Sequence, residues 1–168
     1  MRSVRAIASC LAAGLFLAAC SSGVTSASST TIAPAASGRP SCATVAAGLS
    51  QQNIDVLFIA LAATKSGSAK NVAISNEASK ANKDITIFGG QLKRLLPSGD
   101  LVDQWARGQR AYIDGLAAVA KSSNGSAQVN AYNNTFNSSE AGQKFVANTS
   151  ALKEIIATVC PSAGSRGG

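Results

Sequence analysis

Apolar side chains recur in alternating steps of four and three along four stretches of this chain. The first stripe is Val45, Leu49, Gln52, Val56, Ile59 and Ala63, and the second is Ile74, Ala78, Ala81, Ile85, Phe88, Leu92 and Leu95. The third is Val102, Trp105, Gln109, Tyr112, Leu116 and Val119, and the fourth is Phe145, Thr149, Leu152, Ile156 and Val159. Such spacing lines side chains along one face of an α-helix, and that face must be covered by other helices.

The polar punctuation falls between the stripes. Lys65-Ser66-Gly67-Ser68 separates the first two, and Pro97-Ser98-Gly99 separates the next, with Ser98 or Asp100 placed to cap the third helix. Ser122-Ser123-Asn124-Gly125-Ser126 ends the third stripe. Ser138 or Ser139 can cap the last, and Pro161 stops it just after Cys160.

Three places read two ways. Val129, Tyr132 and Phe136 have helical spacing, but the asparagines among residues 127–137 weaken a helix. Val56–Ala63 is an unbroken apolar run, and Asp84–Gly90 has the look of a strand and turn. The heptad rhythm runs through both, which favours helix. Gly89-Gly90 inside a helix costs about 1 kcal/mol per glycine relative to alanine. The pair then marks either a kink or close approach that opens a pocket, or tight packing or a simple break.

Helices joined by short loops make a bundle. The expected fold is all-α: an up-down-up-down four-helix bundle, with a short extra helix before the last if residues 127–137 take that form. An even number of helices brings the chain back to the end where it began, so Cys42 and Cys160 are expected at the same end.

The N-terminus has a different pattern. Arg2 and Arg5 precede an apolar segment from Ala6 to Ala19, shorter than the roughly 20 residues a spanning helix needs. Small residues close it, and Leu17-Ala18-Ala19-Cys20 follows the order of a lipobox. On these residues the segment resembles the signal of bacterial lipoproteins. That resemblance implies cleavage before Cys20, a diacylglycerol on its thiol and, usually, a further acyl chain such as palmitate on its amine. The alternative is an ordinary cleaved signal in which Cys20 is incidental.

Residues 1–19 are then a signal peptide. Residues 20–40 are a lipidated cysteine and a Ser/Thr/Ala-rich flexible tether, 41–161 the helical domain, and 162–168 a disordered tail. The expected location is the outer face of the cell membrane. In composition and organisation the chain also resembles the small envelope lipoproteins of actinobacteria.

Export reorganises the cysteines. Cys10 leaves with the signal and Cys20 carries lipid, leaving Cys42 and Cys160 in an oxidising compartment, where a disulfide is expected. Closing a loop that long stabilises by about 4–5 kcal/mol on chain-entropy grounds.

Charge changes the picture modestly. The chain carries 15 basic and 8 acidic residues, and losing Arg2 and Arg5 leaves 13 against 8. A basic domain tethered to an anionic bilayer is drawn toward it, by about 1 kcal/mol per basic residue near the surface; the alternative is a simple solvated surface. Nucleic acid is not an expected partner, because there is no basic run and few aromatics to stack bases.

Chemistry is sparse. The chain has no histidine, which removes imidazole metal ligands and His-based triads, and no cysteine pair has metal-ligand spacing. Ser150-Ala151-Leu152-Lys153 matches Ser-x-x-Lys, but no Lys-Thr-Gly or Ser-Asp-Asn follows it. No cofactor or metal is expected, and an enzyme is not the expected reading. Trp105, Gln109 and Tyr112 share a stripe and either line a ligand cavity or fill the core. Lys93, Arg94, Arg107 and Arg110 either face phospholipid or acidic partners or form a solvated face. The leading expectation is a non-enzymatic binding or accessory module for a neighbouring envelope protein or wall component. The alternatives are a carrier of a small apolar or lipidic ligand and an enzyme of unfamiliar type.

Overall fold

The structure, a computed structural model, describes residues 38–97 and 99–161. The signal segment, Cys20, most of the tether, Ser98 and the tail at 162–168 lie outside the described residues. Every regular element among those described is an α-helix: α1 (Cys42–Ala62), α2 (Gly67–Leu95), α3 (Gly99–Ala120), α4 (Gly125–Ser138) and α5 (Glu140–Val159). The described part of the chain is thus all-α and packs as a helical bundle.

Local sequence explains the ends. Ser41 Oγ accepts from the Thr44 amide at 3.1 Å, satisfying one free donor of α1. Ser139 is extended and its Oγ accepts from the Gly142 amide at 3.0 Å, capping α5. The ambiguous stretch is helical. Asn130, Asn134 and Asn137 are exposed while Val129 and Phe136 are buried, and the half-buried Asn133 is bonded to Tyr112, so none of the asparagines opposes the helix by lying unpaired in the core.

The pairs across each seam set its direction. Gly48 lies against Phe88, and Asp55 against Lys80, so α1 and α2 run antiparallel. Thr86 meets Arg110, and Lys93 meets Asp103, so α2 and α3 do too. Tyr112 reaches Asn133 of α4, and Gly108 lies under Phe145 of α5, so α3 carries both of the last helices.

The core follows the predicted stripes closely on α2, where Ile74, Ala78, Ala81, Ile85, Phe88, Leu92 and Leu95 are all buried. On α1, Val45, Gln52, Ile59 and Ala63 are buried, while Leu49 and Val56 are half-buried. α5 sits shallowly, with Leu152 and Ile156 reaching the core. Cys42 and Cys160 are joined, with Cα atoms 5.3 Å apart and 118 residues between them in sequence. The bridge ties the start of α1 to the end of α5.

Gly89 and Gly90 are helical. A Cβ at Gly89 would meet only Val102 Cγ1, at 3.9 Å, and one at Gly90 would meet nothing within 4 Å. Neither glycine marks a close approach. That role belongs to Gly48, where a Cβ would stand 2.3 Å from the Phe88 ring.

Candidate functional site

The third stripe divides its aromatic residues between two neighbours. Trp105 is buried and meets Phe88 of α2 edge-on, with ring centroids 5.7 Å apart and planes at 87°. Tyr112 instead joins Tyr132, Phe136 and Phe145 of α4 and α5, at centroid distances of 5.9, 5.2 and 6.3 Å. Two small residues on α3 make room for them. A Cβ at Gly108 would come within 2.7 Å of the Phe145 ring, and one at Gly115 would collide with Tyr132. Gln109 is buried as well. Trp105 and Tyr112 therefore pack against rings on two sides of α3. Tyr112 donates its hydroxyl to Asn133 Oδ1 at 2.6 Å, and burial, with a smaller push from Tyr132, raises its pKa to about 12.

The four basic candidates also separate. Lys93 pairs with Asp103 at 2.6 Å, and Arg110 donates to Thr86 Oγ1 at 2.8 Å; both contacts tie α2 to α3. Arg94 and Arg107 are exposed.

A buried polar cluster between α1 and α2 escaped the sequence reading. Asp55 is 3% exposed, and its Oδ1 accepts from Gln51 Nε2 at 2.7 Å and Lys80 Nζ at 3.0 Å. The same ammonium donates to Asp84 Oδ2 at 2.7 Å, and Asp84 is also buried. Burial raises the pKa of Asp55 although Gln51 and Lys80 oppose it. Burial works against the charge of Lys80 as well, but its bonds to Asp84 and Asp55 outweigh that and hold it above the ordinary lysine value. Lys80 occupies the position between two carboxylates that a cation would otherwise take. Among the described residues no group of three His, Cys, Asp or Glu side chains gathers as a metal site would need. The visible signal for this cluster was one aspartate in a helix with no other charge, facing a lysine and an aspartate four apart.

The opposite side of α1 is also apolar. Ile54, Leu57, Phe58 and Leu61 are spaced as neighbours on one helix face. Leu57 is 54% and Leu61 50% exposed, and Ile54 and Phe58 are half-buried. This second face is why α1 is long and apolar enough to cross a membrane by length and composition, although its other face is built into the bundle. Beyond its end lies an open depression of about 520 Å³ lined by Thr64, Lys65, Lys70 and residues 123–127. Lys70 reaches across it to donate to the Ser122 carbonyl at 2.5 Å.

No protein-family model matches the chain, and no curated protein or solved structure matches it either.

Proposed function

We propose that this chain is a bacterial envelope lipoprotein, cut before Cys20, acylated on that residue and held on the outer face of the cell membrane. There it displays the bundle as a non-enzymatic binding or accessory module for a neighbouring envelope protein or wall component. The observation that carries the reading is the Cys42–Cys160 disulfide. A bridge of that span belongs to an oxidising compartment reached by export. It also occupies both other cysteines that follow the signal, leaving Cys20 as the thiol for lipid.

The frame for display is an up-down-up-down bundle whose fourth arm is α4 and α5 together, broken at Ser139. The packing favours a module over a carrier, because Trp105 and Tyr112 rest against other rings. The buried carboxylates support a structural role too, since both are engaged by Lys80 and tie α1 to α2.

Detergent-phase partitioning tests the anchor. Expressed in its native host, the wild-type chain is expected to stay with membranes in high salt and to enter the detergent phase. The Cys20→Ser chain is expected to be released by high salt and to remain in the aqueous phase. A wild-type chain recovered in the aqueous phase would overturn the reading.

A further inference from the structure

We propose that the outward face of α1 is a lipid-contacting face, which lays the domain lengthwise on an anionic bilayer. It extends the anchored reading, from which it takes the nearness of a bilayer, and adds which side of the domain faces the lipid.

The pattern begins in the sequence of α1. Opposite the core stripe runs a second one in the same four/three rhythm: Ala43, Ala47, Ser50, Ile54, Leu57 and Leu61. In the structure none of these six is buried. The small residues occupy the first half, and the large ones, with Phe58 beside them, gather toward the end at Ala62. Half-exposed leucines on a helix with an otherwise buried opposite side are the arrangement by which interfacial helices settle among headgroups and acyl chains.

Charge complements the apolar face. The one charged residue within α1 is Asp55, which is turned inward and held by Lys80. Residues 56–76 contain Lys65 and Lys70 and no carboxylate, and exposed Arg39 precedes the other end of the helix. Residues 115–139, which include the loop beside Lys70, contain Lys121 and no carboxylate. Glu77 follows the first of these stretches, so the end of the bundle that carries Leu57 and Leu61 sets one carboxylate against Lys65, Lys70 and Lys121 and is net basic, as an anionic surface requires.

The chain ahead of α1 fits this orientation. About 20 links separate Cys20 from Ser41, a length of chain whose reach is at most about 70 Å. The helix itself is about 30 Å long at 1.5 Å per residue. An anchor with that reach lets α1 lie along the surface. A second copy of the chain suits the face less well. Antiparallel self-pairing about Gln52 would set Arg39 against Lys65, and a strip about 30 Å by 10 Å buries less than the roughly 1,200 Å² a stable dimer needs.

The test uses the mature chain from residue 20 with Cys20→Ser, so that no anchor contributes. Binding is measured by co-sedimentation with vesicles of equal parts phosphatidylglycerol and phosphatidylcholine, and with phosphatidylcholine alone. Binding is expected to the first far more than the second, and to weaken with salt. Leu57→Gln with Leu61→Gln, both on the surface, is expected to lower it by on the order of tenfold or more. Lys65→Gln with Lys70→Gln is expected to lower it and flatten its salt dependence. A polarity-sensitive dye on Leu57→Cys is expected to shift blue on the anionic vesicles, while the same dye on Lys153→Cys stays unchanged.

Equal binding by the leucine pair variant, or an unshifted dye at position 57, overturns the inference. So does a vesicle-free dimer that the leucine substitutions abolish, because the face then belongs to a second copy. The Cys20→Ser background separates the two readings: loss of the anchor reading shows in the native protein and leaves this measurement standing.

Discussion

The ring of Phe88 lies across the backbone of α1 at Gly48, so close that a Cβ there would stand 2.3 Å from two ring carbons. That approach lets α1 and α2 seat together while Phe88 keeps its edge contact with Trp105. Gly48→Ala is predicted to destabilise the fold by about 1–3 kcal/mol, since the ring must move within a filled core. Gly90→Ala, with nothing within 4 Å of the new methyl, is predicted to stabilise by about 1 kcal/mol through helix propensity. Urea unfolding followed by the fluorescence of Trp105 measures both. Two substitutions of the same sign would contradict this packing.

Lys80 stands between two buried carboxylates, and removing it leaves them uncompensated. Lys80→Met is predicted to cost about 3 kcal/mol at neutral pH. In that variant Asp55, already raised by burial, loses the lowering influence of Lys80 and holds its proton in the folded state at pH values where the unfolded chain has released it. Stability therefore falls as pH rises above the unfolded value of 3.8 and returns as pH is lowered toward it. In the wild type the raised pKa of Asp55 pulls in the same direction more weakly. A variant with an unchanged midpoint at neutral pH, or a loss that acid does not relieve, would contradict the ion cluster.

The chain has two tyrosines, so their ionisation can be followed by absorbance. Tyr112 is expected to titrate near pH 12 and Tyr132, less deeply buried though also raised, before it. Both raised values make the folded state keep its protons longer than the unfolded chain. Stability then falls as pH rises past the ordinary tyrosine value of 10.0. Asn133→Ala removes the acceptor of the Tyr112 hydroxyl and is predicted to cost about 1 kcal/mol. Two tyrosines titrating together near their ordinary value would place Tyr112 outside the aromatic cluster.

The disulfide holds the most shallowly packed helix. Cys160→Ser is predicted to cost about 2–5 kcal/mol and to loosen α5, where Leu152 and Ile156 alone are buried large apolar side chains. Hydrogen exchange checks this: amides of α5 are expected to exchange faster, while those of α2 follow the global stability. Uniform acceleration in α2 and α5 would contradict it.

The readability of the chain varied with what else each helix had to do. The stripe of α2 was legible because its other faces are polar, so one apolar face stood out. α1 was legible as a helix but only partly in its orientation. Both its faces are apolar, and the run from Val56 to Ala63 hides which side turns inward. Asp55 lay beside that run, and its burial depends on Lys80, a contact that the periodicity of either helix alone does not contain. The cap of α5 was legible to within one residue, as Ser138 or Ser139, and so was the pairing of Cys42 with Cys160, since two cysteines at the domain's edges had one partner each. The division of Trp105 and Tyr112 between separate neighbours was not legible, because it depends on glycines at 108 and 115 that admit rings from later helices.

The measurement that bears most directly on the anchored reading is the intact mass of the protein purified from membranes of its native host, with thiols alkylated before and after reduction. The expected result is a chain beginning at Cys20 with added diacylglyceryl mass, and two further thiols that react only after reduction. A chain with an unmodified Cys20, or with Cys42 and Cys160 alkylated without reduction, would contradict it.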